Sequence, residues 1–341
     1  MRRFGFVSTL VVAVCMLLPH VALGAAPFYE GKTIHTVVGV SAGGAFDLYA
    51  RIVSRHMPKY IPGKPTMIVE NITGAGGLIA ANQLYKVFAP DGLTIGHLNG
   101  GLLFNQILEQ PGIEFEARKF FYLGAPTKEN AVLFVTKASG ITNLDQLMAA
   151  KTPVKLGATG VGSYSRSVLR IWKEACGMPV QVVGPYKGGA DIRLASEAGE
   201  VAGSVLAWDA MKSTWEKRFS SGSAYILLQA VPKPLHDLPK VPVAMQIART
   251  EEARQLTEVG IYLNNTFSRP FALGPGVPKD RAEMLRSAFE KTMRDKEFIE
   301  ECEKSKLSVD VVSGEEVERA VTNASKISRT LTQKLKEIVF K

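Results

Sequence analysis

The chain has 341 residues, of which 46% are apolar and 21% are charged. These values are typical of a globular protein with a sizeable core and exclude a disordered or fibrous chain. The formal net charge is +9, but the basic residues are scattered and form no dense or aromatic-interleaved patch. The sequence therefore predicts no nucleic-acid partner, and instead a positive field that attracts anions.

The first 24 residues have the pattern of a secretory signal peptide. Arg2 and Arg3 precede an apolar run at 11–18, and small residues follow at 22 and 24. A buried N-terminal helix is the alternative. No later segment approaches 18 consecutive apolar residues, so we expect a soluble mature protein in the periplasm. Its two cysteines, Cys176 and Cys302, leave the question of a disulfide open.

Short apolar strands alternate with helical patterns along most of the chain. The sequence predicts strands at 36–40, 67–69, 93–98, 131–135, 154–158, 181–183, 204–207, 225–228 and 307–312. It predicts helices at 47–57, 78–88, 144–150 and 165–175, further helix between the later strands, and a mainly helical tail from residue 278. Such alternation is typical of an α/β fold with mostly parallel sheets.

Two stretches are typical of linkers. The proline-rich segment VPKPLHDLPKVP at 231–242 is the stronger signal, and LGAPTKEN at 123–130 is the weaker one. They predict an inserted lobe 2 at 128–231 and a lobe 1 formed by 25–127 and 232–341. Two lobes joined by two crossings enclose a cleft, and clefts between domains are where ligands bind.

Sequence motifs for nucleotide binding, covalent catalysis and metal binding are absent. There is no GxGxxG or GxxxxGK[ST] for phosphates, and no GxSxG or SxxK for a nucleophile. The histidines show neither HExxH nor HxxxH spacing. The sequence therefore predicts no enzyme, no cofactor and no metal site, although a triad assembled from distant residues stays open.

Four loops rich in small residues each follow a strand and lead to a helix. They read SAGGAFD (41–47), TGAGG (73–77), ATGVGSYS (158–165) and PYKGGAD (185–191). Such loops present unpaired backbone N–H groups, and the helix N-terminus adds partial positive charge, so together they hold an anion without a lysine. The alternative is that each loop is only a tight turn and that Asp47 only caps a helix.

The same residues resemble those of a known family. The runs VGVSAGGAFDLYAR, VENITGAGGLIAANQLYK and APDGLTIG are similar to the N-terminal signature of the tripartite tricarboxylate transporter (Bug-type) substrate-binding receptors. KLGATGVGSYS, VVGPYKGGAD and FALGPGVPKD resemble later segments of that family, in order. The resemblance covers essentially the whole mature chain.

This resemblance implies a fold, a function and a set of contacts. The fold is the two-lobed class II periplasmic binding protein fold, in which each lobe is a mostly parallel sheet flanked by helices and the ligand cleft lies between the lobes. The implied function is to capture a small organic acid by hinge closure and to deliver it to the membrane permease subunits of a tripartite tricarboxylate-type transporter. We expect the protein to be a monomer. The implied ligand contacts are Ser41, Gly43, Gly44, Asp47, Thr73, Ala75 and Gly76 in lobe 1, and Thr159, Gly160, Val161, Gly162, Ser163, Tyr186, Lys187, Gly188 and Asp209 in lobe 2.

The chain departs from the family pattern at a few positions. Ser41 stands where proline is common, and Ile72 and Thr73 stand where relatives often have arginine and proline. These changes leave the ligand and its affinity open. Two other functions also stay open: a ligand-sensing protein that docks on a membrane sensor kinase, and a periplasmic hydrolase or isomerase.

Overall fold

A computed structural model describes residues 26–340, so the predicted signal peptide at 1–24 lies outside the described residues. The strands are β1 (Thr33–Val38), β2 (Thr66–Asn71), β3 (Thr94–His97), β4 (Phe121–Ala125), β5 (Ala131–Thr136), β6 (Val154–Gly157), β7 (Val180–Val183), β8 (Gly203–Ala207), β9 (Ala224–Gln229), β10 (Phe271–Leu273) and β11 (Val312–Ser313). Within the described part they form two sheets, in the orders β11-β4-β10-β3-β1-β2 and β7-β6-β8-β5-β9. We call the first sheet with its helices lobe 1 and the second sheet with its helices lobe 2.

The helices flank both sheets. They are α1 (Ala45–His56), α2 (Leu78–Lys86), α3 (Gly100–Ile107), α4 (Leu144–Met148), α5 (Tyr164–Cys176), α6 (Gly189–Glu197), α7 (Trp208–Ser220), α8 (Glu251–Thr257), α9 (Asn264–Thr266), α10 (Lys279–Met293), α11 (Lys296–Lys304), α12 (Gly314–Ala324) and α13 (Arg329–Phe340). A π-helical segment at Glu258–Leu263 joins α8 to α9. No helix in the described range is long and apolar enough to cross a membrane.

Helix α5 shows how the sequence pattern produces the packing. Its buried stripe includes Val168, Leu169, Ile171 and Trp172, which recur at helical spacing and are fully buried. The helix ends at Gly177, whose φ of 68° lies in the left-handed region that glycine adopts without strain. This apolar stripe is the face of the helix that packs into the core.

Most strands of each sheet run in one direction. β1 pairs in parallel with β2 and β3, and β6 pairs in parallel with β7 and β8, whereas β10 and β5 pair with these sets in the antiparallel sense. β5 and β10 are the first strands after the chain passes from one sheet to the other, at 126–130 and 230–270. A chain that enters a sheet at the edge where the parallel strands end must run against them. This explains why both sheets are mixed.

One apolar core continues from lobe 1 into lobe 2. Leu103 and Phe104 of α3 belong to the same cluster of buried side chains as Leu169 and Trp172 of α5. The last helix, α13, packs against α5, as α8 does. A second cluster lies on the other face of the first sheet, between α1 and α10. The lobe boundaries at 127/128 and 231/232 stay a prediction. The strands β5 to β9 all lie between these two boundaries.

Two strands, β4 and β10, are not expected from the sequence, and one expected strand is shorter than predicted. β4 overlaps the segment at 123–130 that we interpreted as a linker. Gly124 of β4 allows Phe289 and the backbone of β11 to approach closely, since a Cβ at Gly124 would lie 2.8 Å from the Phe289 ring. β10 has only three residues, and the strand expected at 307–312 is present only at Val312–Ser313. Such short strands carry too few residues to show a period.

The two cysteines of the described range are free thiols. Cys176 is half-buried in α5 and Cys302 is buried in α11. Burial raises the pKa of Cys176 to about 11 and that of Cys302 to about 12. Both thiols are therefore protonated near neutral pH and are unreactive core residues.

Candidate ligand-binding site

The four glycine loops follow β1, β2, β6 and β7 at the carboxyl ends of the parallel strands. The loops after β1 and β2 contact each other, since a side chain at Gly39 would lie 2.6 Å from the Cα of Gly77. The loops after β6 and β7 are joined by a hydrogen bond from Tyr186 N to Ala158 O of 3.0 Å. Ligands of open α/β sheets bind at this edge.

Helix α3 lies against the loops of both lobes. Asn99 begins the helix, and its Nδ2 donates to Gly76 O at 3.1 Å. Asn105, one and a half turns later, donates from Nδ2 to Gly162 O at 3.0 Å. The α3 helix thus connects the second loop of lobe 1 to the first glycine loop of lobe 2.

The four helices that follow these loops begin without a side-chain cap. The N-cap residues of α1, α2, α5 and α6 are Gly44, Gly77, Ser163 and Gly188, and none accepts a hydrogen bond from its helix. Helices α3, α4, α8, α11 and α12 are each capped by an Asn, Thr, Asp or Ser side chain. The helices α7 and α10 also begin without a side-chain cap, but neither follows one of the four glycine loops. Uncapped first turns leave backbone N–H groups available to an anion.

Asp47 organises the loop after β1. Its Oδ2 accepts from Gly43 N at 2.9 Å and from Arg51 Nε at 2.8 Å, and its Oδ1 accepts from Arg51 Nη2 and Asn71 Nδ2, both at 2.9 Å. Burial alone would raise the pKa of Asp47, but the hydrogen bonds from Arg51, Gly43 and Asn71 outweigh it and lower the pKa to about 2. The carboxylate is therefore ionised and holds the loop in shape, while Ser41, Gly43 and Gly44 are exposed.

The second loop of lobe 1 has a left-handed backbone that its three glycines adopt without strain, and Ala75 between them follows it. Gly74, Ala75, Gly76 and Gly77 all have positive φ, with values of 137°, 47°, 67° and 97°. The loop turns sharply into α2 as a result, and Thr73, Ala75 and Gly76 are exposed.

The first loop of lobe 2 combines hydroxyl groups with glycine. Thr159 Oγ1 lies 3.1 Å from Ser165 Oγ, and Thr159 N donates to that same oxygen at 3.3 Å. Ser163 Oγ is buried without a hydrogen-bond partner. Gly162 is buried against α3, Gly160 is half-buried, and Val161 is exposed.

The remaining predicted residues of lobe 2 lie in two places. Tyr186 is half-buried beside Gly157, Lys187 is exposed, and Gly188 begins α6. Asp209 lies apart from them in the first turn of α7, where its carboxylate accepts a hydrogen bond from Ser308 Oγ of lobe 1.

Asp209 also lines a cavity of about 660 Å³ between α7 and the end of α11. Other lining residues include Trp208, Lys212 and Leu307. Lys212 Nζ is 3.6 Å from Asp209 Oδ1. The observed role of Asp209 is therefore to join the lobes at the border of this cavity.

Arg269 is a charged residue that the sequence patterns do not single out. It precedes β10, is 8% exposed, and donates from Nη2 to Glu129 Oε2 at 3.2 Å. Its Nε and Nη1 are buried without partners. The guanidinium carbon lies 4.8 Å from the centre of the Phe46 ring, in the first turn of α1, and 5.7 Å from that of Tyr49.

Other buried polar atoms without partners lie at the end of β3 and next to Arg269 in the chain. His97 ends β3 and stacks on Phe271, and its Nε2 is unpaired. Burial and the charge of Arg269 lower the pKa of His97 to about 3, so its ring is neutral at pH 7. Ser268 Oγ is also unpaired. Unpaired buried polar atoms are rare in native proteins, and each of them calls for an explanation.

Comparison with known proteins identifies the family. The family model described as "Tripartite tricarboxylate transporter family receptor" matches residues 49–336. The chain belongs to this family. Its members are receptors and not enzymes, in agreement with the absence of catalytic motifs in the sequence.

A relative and two solved structures illustrate the similarity to this receptor family. A UPF0065 protein of Bordetella bronchiseptica is 30% identical over 167 residues, which are 48% of this chain and about half, 49%, of that protein. The periplasmic binding protein BugD is 21% identical, with a TM-score of 0.69 over 92% of this chain and 99% of BugD. R. palustris Rpa4515, solved with adipate, is 18% identical, with a TM-score of 0.70 over 91% of this chain and 98% of that one. The structural similarity confirms the predicted two-lobed periplasmic binding protein fold.

Proposed function

We propose that this protein is a periplasmic receptor that captures a small organic carboxylate between its two lobes and delivers it to a tripartite tricarboxylate-type permease. The observation that carries the proposal is the set of four uncapped helix N-termini at the glycine loops, two from each sheet, in a chain of the receptor family. Adipate, a dicarboxylate, is the compound named for the Rpa4515 structure and supports a carboxylate as the ligand class.

The proposed contacts are residues of these loops, together with Asp209. In lobe 1 they are Ser41, Gly43, Gly44, Thr73, Ala75 and Gly76, with Asp47 as the residue that holds the first loop. In lobe 2 they are Thr159, Gly160, Val161, Gly162, Ser163, Tyr186, Lys187 and Gly188, with Asp209 closing the lobes through Ser308.

Hinge closure is the proposed mechanism of capture. The two crossing segments are bonded to each other, because Glu129 N donates to Asn265 O at 3.2 Å and Asn265 Nδ2 donates to Ala230 O at 2.7 Å. Two crossings that are hydrogen-bonded to each other permit rotation of one lobe against the other about their common contact. A ligand that contacts both lobes stabilises the closed form by its higher affinity for that form.

Thermal unfolding tests the ligand class. The purified protein is first unfolded and refolded to remove any acid from the expression host, and then titrated with mono-, di- and tricarboxylates and aromatic acids. An acid at about one hundred times its dissociation constant adds roughly 2.7 kcal/mol to the free energy of unfolding, which raises the melting temperature by several degrees. If no acid raises it in folded, ligand-free protein, the proposed ligand class is wrong.

Delivery to a permease needs a separate assay. Uptake of the labelled acid into vesicles that contain the permease should require the receptor on the outside. Addition of a receptor variant that does not bind the acid serves as the control. Uptake that is independent of the receptor would contradict the transport role and favour a sensing role.

A further inference from the structure

The guanidinium of Arg269 has fewer partners than a buried charge requires. Arginine carries five N–H donors and stays protonated in proteins, and buried charges are normally paired and fully hydrogen-bonded. Only Nη2 of Arg269 has an acceptor, Glu129 Oε2 at 3.2 Å, although the residue is 8% exposed. Nε and Nη1 have no acceptor within hydrogen-bond distance. The side chain therefore lacks at least one acceptor in its surroundings.

The position of Arg269 is at the ligand edge of lobe 1. Because β10 runs against β3, the residue that precedes β10 lies beside the carboxyl end of β3, where His97 is located. The guanidinium also contacts the ring of Phe46, which comes two residues after Gly44, the uncapped start of α1. Arg269 thus contacts the first glycine loop through Phe46, at the edge of lobe 1 that faces the predicted cleft.

The charges around Arg269 favour an incoming anion. Glu129 is the acid in contact with it and engages Nη2 alone. The nearby Asp47 is committed to Arg51, Gly43 and Asn71. The ring of His97 is neutral and therefore adds no negative charge that would compete with the ligand for Arg269. The acceptor that Nε and Nη1 lack is therefore not supplied by a second acidic side chain of this chain.

We propose that Arg269 binds a carboxylate of the ligand through Nε and Nη1, while Glu129 holds the guanidinium in place through Nη2. This inference rests on the proposed receptor function and deepens it, because it requires that the ligand present a carboxylate to lobe 1. The competing explanation is structural: Glu129 and Arg269 lie on the two crossing segments, and their ion pair would then only fasten one crossing to the other.

The test compares acids with neutral analogues. Malate, adipate and benzoate are titrated calorimetrically into the protein, each beside its carboxamide, which keeps the shape and removes the charge. The variants are Arg269→Gln, Glu129→Gln and the double variant. The double variant removes both charges together, so it stays interpretable if Arg269→Gln alone fails to fold with Glu129 unpaired. Arg286→Gln is the matched control, because the side chain of Arg286 is 14% exposed against 10% for Arg269, is ion-paired to Glu315 and Glu318, and lies away from the loops.

Charge-assisted hydrogen bonds set the expected size of the effect. The affinity of the double variant for the acid should fall by at least about tenfold, while its affinity for the carboxamide changes by less than about threefold. Glu129→Gln alone keeps an acceptor for Nη2 and removes a negative charge, so its affinity for the acid should be unchanged or higher. Arg286→Gln should bind like the wild-type protein.

Two different results would overturn the inference, and they are distinguishable. If the wild-type protein binds an acid and the folded double variant binds it equally well, with the same preference over the carboxamide, Arg269 is only a structural residue and the receptor function stands. If the wild-type protein binds none of the acids, the receptor function for these carboxylates fails, and the inference fails with it.

Discussion

Replacement of Asp47 by Asn is predicted to destabilise the protein in a pH-dependent way. Asp47 is 2% exposed and accepts four hydrogen bonds, two of them from the Arg51 guanidinium. A fall of its pKa from the ordinary value of 3.8 to about 2 means that folding favours the ionised carboxylate. At about 1.4 kcal/mol for each pKa unit, this corresponds to roughly 2 to 3 kcal/mol. Asp47→Asn should therefore lower the free energy of unfolding at pH 7 by roughly 2 to 3 kcal/mol.

The sign of the pH dependence follows from the lowered pKa of Asp47. A carboxylate whose pKa is lower in the folded state stabilises the protein above the pKa of the unfolded chain, and this stabilisation is lost as the pH falls through the folded pKa. The difference between wild-type and Asp47→Asn protein should thus shrink by about 1 kcal/mol between pH 7 and pH 3, fall to about 0.4 kcal/mol at pH 2, and vanish near pH 1.

Urea unfolding at a series of pH values, followed by circular dichroism, measures the Asp47 effect. Asp145→Asn is the control, because Asp145 is exposed in the first turn of α4 and its replacement should change the free energy of unfolding by less than about 0.5 kcal/mol. A difference for Asp47→Asn below that value at pH 7, or one that stays constant down to pH 3, would refute the role assigned to Asp47.

Three further substitutions separate binding from folding. Gly44→Val should abolish binding of the acid in calorimetry, because the valine side chain would occupy the approach to α1. The melting temperature should stay nearly unchanged, since a Cβ at this position meets no atom within 4 Å. Unaltered affinity would contradict the loop assignment. Gly100→Ala should lower the free energy of unfolding, measured in urea, by about 3 kcal/mol, because the new Cβ would lie 1.8 Å from Phe267 O. An unchanged free energy of unfolding would disprove that contact. Ser308→Ala removes the hydrogen bond to Asp209 that joins the lobes and should enlarge the ligand-free protein in small-angle X-ray scattering; an unchanged radius of gyration would argue against this contact as a latch.

The sequence predicts features that depend on neighbouring residues. A glycine loop between a strand and a helix is visible in five to eight consecutive residues, and α1, α2, α5 and α6 begin at those four loops in the structure. The stripe of α5 is equally local. The sequence also predicts the receptor family, because these motifs occur in family order, and the family model confirms it.

Arg269 could not be found in the same way. Its neighbours Phe46 and Glu129 lie more than two hundred and more than one hundred residues before it in the chain, as the numbering shows. Only the antiparallel direction of β10, itself too short to show a pattern, places it beside β3. Asp47 illustrates a different limit. Its pairing with Arg51, four residues later on α1, is visible in the sequence, but the approach of Asn71 to its carboxylate depends on the pairing of β1 with β2.

A crystal structure with the acid that most raises the melting temperature would test the central claim most directly. We expect the acid between the lobes, with one carboxylate within hydrogen-bond distance of Arg269 and of backbone N–H groups at the uncapped start of α1, and with contacts from the loop at 159–163. If the acid instead lies in the 660 Å³ cavity between α7 and the end of α11 without reaching Arg269 or the glycine loops, or contacts one lobe alone, the proposed site is wrong.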